Sequence, residues 1–93
     1  MTDGQASIST EILARYAGDA AREVEGVRGL AGRRGVRVHE DGRVELHLAV
    51  VWGASIPAVG RRVQERVREY LRHMADLEPS GVDVIVDEIG PIQ

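Results

Sequence analysis

Residues 36–52 read VRVHEDGRVELHLAVVW. Apolar and polar residues alternate on both sides of an Asp-Gly, the pattern of two half-buried strands joined by a tight turn. The loop length sets the register. A two-residue loop at Asp41-Gly42 places Val38 opposite Glu45 and mixes the faces. A three-residue loop, Glu40-Asp41-Gly42, places Val38 opposite Val44 and Val36 opposite Leu46. It also puts Gly42 at the left-handed position that such loops require. In this register Val36, Val38, Val44, Leu46, Leu48, Val50 and Trp52 share the core face. Arg37 and Glu45 become a cross-strand pair on the other face.

Helices are expected on both sides of this hairpin. Ser9 is placed to cap the first, with Glu11 in its first turn and Ile8 and Leu13 as a hydrophobic staple. Ile12, Leu13, Tyr16, Ala17, Ala20, Ala21 and Val24 form one stripe at helical period, and Gly26 is placed to end it. Val27 to Ala31 reads as a short edge strand, and Gly32-Arg33-Arg34-Gly35 as a loop. Ser55 caps a second helix with Pro57 in its first turn. Its stripe is Ile56, Val59, Val63, Val67, Tyr70, Leu71 and Met74. This helix and the strand from Val44 to Trp52 both span ~30 Å, so they match in length. After a turn at Glu78-Pro79-Ser80-Gly81, Val82 to Ile89 alternates as a last strand.

The order α-β-β-β-α-β predicts an α+β fold: a two-layer sandwich with two helices packed on one face of a mixed sheet. Residues 8–90 are expected to form a single domain, between a flexible lead-in at 1–7 and a tail at 91–93. Ninety-three residues suffice for one modest core and no deep cavity. The chain has no cysteine, which excludes disulfides, thiolate metal sites and cysteine nucleophiles. No apolar run approaches the ~20 residues of a membrane span. Met1 to Ser7 is polar, with no basic start, so no signal peptide is expected there. A cytoplasmic location is the expectation.

Catalytic chemistry finds no support. Ser55 is explained by capping, and no catalytic residue, metal ligand set or cofactor site is assigned. His39 and His47 lie on paired strands, but no carboxylate spacing is seen to converge on them, so no metal is expected. His73, in the last turn of a helix, suits a dipole contact.

Surface chemistry offers more. Two helices on one face leave the other uncovered, and there Ala49, Val51 and Ile85 form a candidate self-association patch. The second helix carries a candidate basic surface, Arg61, Arg62, Arg66, Arg68 and Arg72, giving residues 55–74 a net charge of +3. Residues 75–93 carry −5, a polarity that suits association between chains. In isolation, Glu65 and Glu69 are spaced to pair with these arginines along the helix.

Several segments together resemble the alkaline shock protein family of bacterial envelope stress response proteins, found mainly in Gram-positive lineages. They are Ile8-Ser9 with Glu11-Ile12, Ala20-Ala21, and Glu23-Val24-Glu25-Gly26-Val27. Val50-Val51-Trp52-Gly53, Ile56-Pro57, Val63-Gln64 with Val67, and Val82-Asp83-Val84-Ile85-Val86 follow in order. The resemblance covers about residues 7–90. It implies a small non-catalytic cytoplasmic protein that self-associates as a scaffold. A membrane-anchored protein partner would hold it at the inner face of the cell membrane. The connection from Val27 to Val36 is short and lysine is absent, which departs from the family pattern.

A reading from a different class is a small KH-like nucleic-acid-binding module using Arg33, Arg34 and the second-helix arginines. Gly32-Arg33-Arg34-Gly35 has the GxxG form that clamps a nucleic-acid backbone, but that loop must join two helices. A net charge of −3 supplies no bulk attraction to nucleic acid.

Overall fold

The structure, a computed structural model, describes residues 8–33 and 35–91. The lead-in expected at 1–7, Arg34 and the last two residues of the expected tail lie outside the described residues. The elements are α1 (Thr10–Arg22), β1 (Val27–Leu30), β2 (Val36–Val38), β3 (Arg43–Val51), α2 (Ile56–Ala75) and β4 (Gly81–Gly90). The order is the expected α-β-β-β-α-β.

β3 is the central strand. The hairpin has the register argued from its loop: Val36 pairs with Leu46, Arg37 with Glu45 and Val38 with Val44. Gly42 adopts φ 92°, and its N–H donates to the His39 carbonyl at 2.9 Å, closing the three-residue loop. β1 runs antiparallel along the other half of the same β3 edge, pairing at Leu48, Ala49 and Val50. The ladder continues across the gap between β1 and β2. Ala31 N–H donates to the His47 carbonyl and His47 N–H to the Gly35 carbonyl, both at 2.7 Å. β1 and β2 therefore act as one edge strand with a loop pushed out of it. Only glycine fits at 35, because a Cβ there would collide with the Leu30 side chain.

β4 occupies the opposite edge of β3 and runs parallel to it, so the sheet is mixed. A parallel partner needs a crossover, and α2 supplies it. Leu48 pairs with Val86 but Ala49 with Glu88, which leaves Asp87 as the extra residue of a bulge.

Both helices lie on one face. Val44, Leu46, Leu48 and Val50 have no exposed surface and join Val63, Val67 and Leu71 of α2 with Ala17, Ala20 and Ala21 of α1 in one core cluster. The alanines let α1 approach closely. Tyr16 and Tyr70 meet edge-on across the helix pair, with ring centroids 5.9 Å apart. Ser9 and Ser55 cap as expected, accepting from Ile12 N–H at 3.2 Å and Ala58 N–H at 3.3 Å.

Some expectations need correction. Trp52 is not in the core: it is 73% exposed. The strand ends at Val51, and although Trp52 N–H still donates to the Gly90 carbonyl at 2.6 Å, Trp52 and Gly53 form the turn that leads into α2. In that turn strand alternation no longer governs the indole. Ile12, Ile56 and Met74 sit in the helical stripes but near helix ends, where little covers them, and each is exposed. α1 stops at Arg22, and Gly26, with φ 100°, instead turns the chain into β1.

Candidate functional site

Strand alternation turns Arg43, Glu45, His47, Ala49 and Val51 of β3 away from the helices. Arg37 of β2 and Asp83 and Ile85 of β4 share that side by register, and His39, just beyond β2, reaches it through its bond to Glu45. The bulge keeps Asp87 there and adds Glu88, which sequence parity had not placed on this face. No helix covers it.

A chain of hydrogen bonds crosses this face. His39 Nε2 lies 3.1 Å from one oxygen of Glu45. His47 Nε2 lies 2.7 Å from the other oxygen, and His47 Nδ1 lies 2.7 Å from Asp87. Arg43 donates to Asp83 at 2.9 Å. Neighbouring segments are thus tied in turn: the hairpin loop side to β3 through His39 and Glu45, and β3 to β4 through His47 and Arg43. Bonds from Glu45 and Asp87 raise the pKa of His47. Those from His47 and His39 lower that of Glu45. The bond to Asp83 raises that of Arg43.

Two sequence expectations change here. Glu45 faces Arg37 in register, but its carboxylate serves the two histidines, and Arg37 makes no ion pair among the described residues. A carboxylate does converge on His39 and His47. The spacing hid it, because Glu45 is two residues from His47 and reaches His39 only through the hairpin. Even so, among the described residues no group of three His, Asp or Glu has the geometry to hold a metal ion.

Ala49, Val51 and Ile85 all lie on the helix-free side but not as one patch. Ile85 sits beside His47, and the His47–Asp87 pair separates it from Ala49 and Val51. Ala49 is only 6% exposed. It lies with Val51 in a shallow groove bounded by Arg28, Gly29 and Glu88. A Cβ on Gly90 would strike the Arg28 guanidinium, so that arginine reaches across the groove from β1 to β4. A second apolar groove of about 320 Å³ opens at the end of the sheet, lined by Trp52, Ile56 and Ile89 among others. Sequence reading missed it by assigning Trp52 and Ile56 to the core.

The basic surface is dispersed. Arg66 leaves its helix to bond Glu23 at 3.2 Å, and Arg68 bonds the Pro79 carbonyl at 3.3 Å and Glu78 at 3.5 Å. Neither pairs with Glu65 or Glu69, because acceptors on neighbouring segments take the guanidinium groups. Arg61, Arg62 and Arg72 are exposed. Arg33 is exposed in a loop between two strands of one edge, with no helix on either side to direct amides at a phosphate.

No helix among the described residues is long and apolar enough to cross a membrane. Among solved structures, the fold is similar to MamM-CTD 215-293, with a TM-score of 0.57 and 17% identity over 86% of this chain and 99% of that one. It is also similar to a copper form of a substituted MamM CTD, with a TM-score of 0.58 and 18% identity over 88% and 99% of the two chains. At such identity the likeness concerns the fold alone. Two Bacillus subtilis (strain 168) proteins are similar in sequence. Uncharacterized protein YqhY is 30% identical over 99 aligned positions, covering 87% of this chain and 73% of YqhY. Uncharacterized protein YloU is 26% identical over 106 positions, covering 92% and 88%. Residues 1–91 match the alkaline shock protein 23 family, described as having a cell envelope-related function. This chain belongs to that family.

Proposed function

We propose that the protein is a non-catalytic scaffold of the cell envelope, which self-associates through its helix-free sheet face and docks on a membrane-anchored protein partner. The observation that carries this reading is the division of the sheet. Both helices bury one side, while the other presents Val51 and Ile85 within a row of paired charges. Mixed surfaces of this kind suit association between copies, because apolar area supplies affinity and paired charges set register. The family's envelope-related function supports a partner at the membrane.

Light scattering across a concentration series tests it. The mass is expected to rise with concentration, and a Val51→Glu, Ile85→Glu double variant is expected to stay monomeric with an unchanged circular dichroism spectrum. A wild-type chain that remains monomeric at millimolar concentration would sink the reading.

A further inference from the structure

We infer that the proton held by His47 controls self-association through the helix-free face, an inference that rests on the scaffold reading above. Both ring nitrogens of His47 lie 2.7 Å from a carboxylate oxygen, Nε2 at Glu45 and Nδ1 at Asp87. An ionised carboxylate only accepts, so both bonds require an N–H on each nitrogen, and only the imidazolium satisfies them together. Loss of the proton turns one N–H into a lone pair aimed at a carboxylate. That carboxylate must then swing out to water.

In a free chain this costs little, because water replaces the lost bond. Against a second copy the water is gone, and an unpaired carboxylate buried at an interface is strongly unfavourable. The charges on the face agree. β1 brings Arg28, β2 Arg37 with His39 just beyond it, β3 Arg43, Glu45 and His47, and β4 Asp83, Asp87 and Glu88. With His47 charged, Arg28, Arg37, Arg43 and His47 match the four carboxylates Glu45, Asp83, Asp87 and Glu88. Without that proton, each copy brings one positive charge fewer to the contact. The raised pKa of His47 puts the change above the ordinary histidine value of 6.5. His39, just beyond the end of β2, bonds Glu45 and has no second carboxylate partner among the described residues.

Sedimentation equilibrium of the full chain from about pH 6 to about pH 9, with the His47 imidazole followed by NMR, tests the inference. Wild-type association is expected to weaken about tenfold or more over that range, in step with His47 deprotonation. His47→Arg keeps a permanent cation and is expected to associate equally at both ends. His47→Gln, never charged, is expected to associate weakly throughout. Wild-type association that stays flat while His47 titrates would overturn the inference alone, as would His47→Arg weakening in parallel with wild type. A monomer at every pH would overturn the scaffold reading, and this inference with it.

Discussion

Leu46 and Glu45 are neighbours on β3, yet they meet different media. Leu46 has no exposed surface and packs under two helices. Glu45 bonds two imidazoles on the side that no helix covers. The helix side is held by non-directional burial, in which every methylene counts. The open side is held by directional bonds in contact with water, each of small net value. One side therefore decides whether the chain folds. The other is free to carry function, because changes there leave the fold standing.

That contrast is broken most severely by moving a charge across it. Leu46→Asp places an unpaired carboxylate in the core and is expected to cost several kcal/mol, out of a total stability of roughly 5–10. A chain without a cooperative melting transition is the expected result. Glu45→Ala, one residue away, is expected to keep a cooperative transition within a few degrees of wild type. If the two variants melted alike, the division between the faces would be wrong. A smaller effect probes the join between α1 and β1. Gly26 has φ 100°, and a Cβ there would come within 2.8 Å of the Val59 side chain, itself buried. Gly26→Ala combines backbone strain with this collision and is expected to cost about 1–3 kcal/mol in chemical denaturation. Trp52→Ala comes next. An indole that lies 73% in water contributes little, so a change of about 0.5 kcal/mol or less is expected. A loss of 3 kcal/mol or more, on the order of a buried Trp truncation, would return Trp52 to the core.

The helix-covered side was legible because burial writes itself into sequence as period. Alternation from Val36 to Val50 and the seven-position stripe of α2 both point at one surface, and the loop around Gly42 fixed the hairpin register. Legibility failed where the period outran the structure. Trp52 continues the alternation, but by then the chain has left the strand for a turn. Ile56 and Met74 continue a helical stripe past the edge of the sheet. On the open side, the two-residue period placed Ile85 on the helix-free face, but a single bulge brought Glu88 there too. The Glu45 bridge was hidden for another reason. Side-chain bonds across strands depend on rotamers, and register alone gave Glu45 to Arg37 when two histidines hold it.

The smallest effect is one of sign, and it separates the two faces without touching the core. His47 has a raised pKa, chiefly through its bond to Glu45 and then to Asp87. Its contribution to folding is therefore complete below the unfolded value of 6.5 and is lost as pH rises through the higher folded value. Glu45 has a lowered pKa, chiefly through His47 and then His39. Its contribution is complete above the unfolded value of 4.5 and is lost as pH falls through the lower folded value. Between about pH 4.5 and 6.5 both are present, so the melting temperature is expected to peak there and to decline gently toward pH 9. His47→Gln removes the alkaline decline, and salt weakens it, because these groups are in contact with solvent. Thermal melts of a dilute sample, kept below any association, isolate this term from self-association. A wild-type melting temperature that rose from pH 6 to pH 9 would contradict the sign, and with it the claim that His47 folds as the charged partner of two carboxylates.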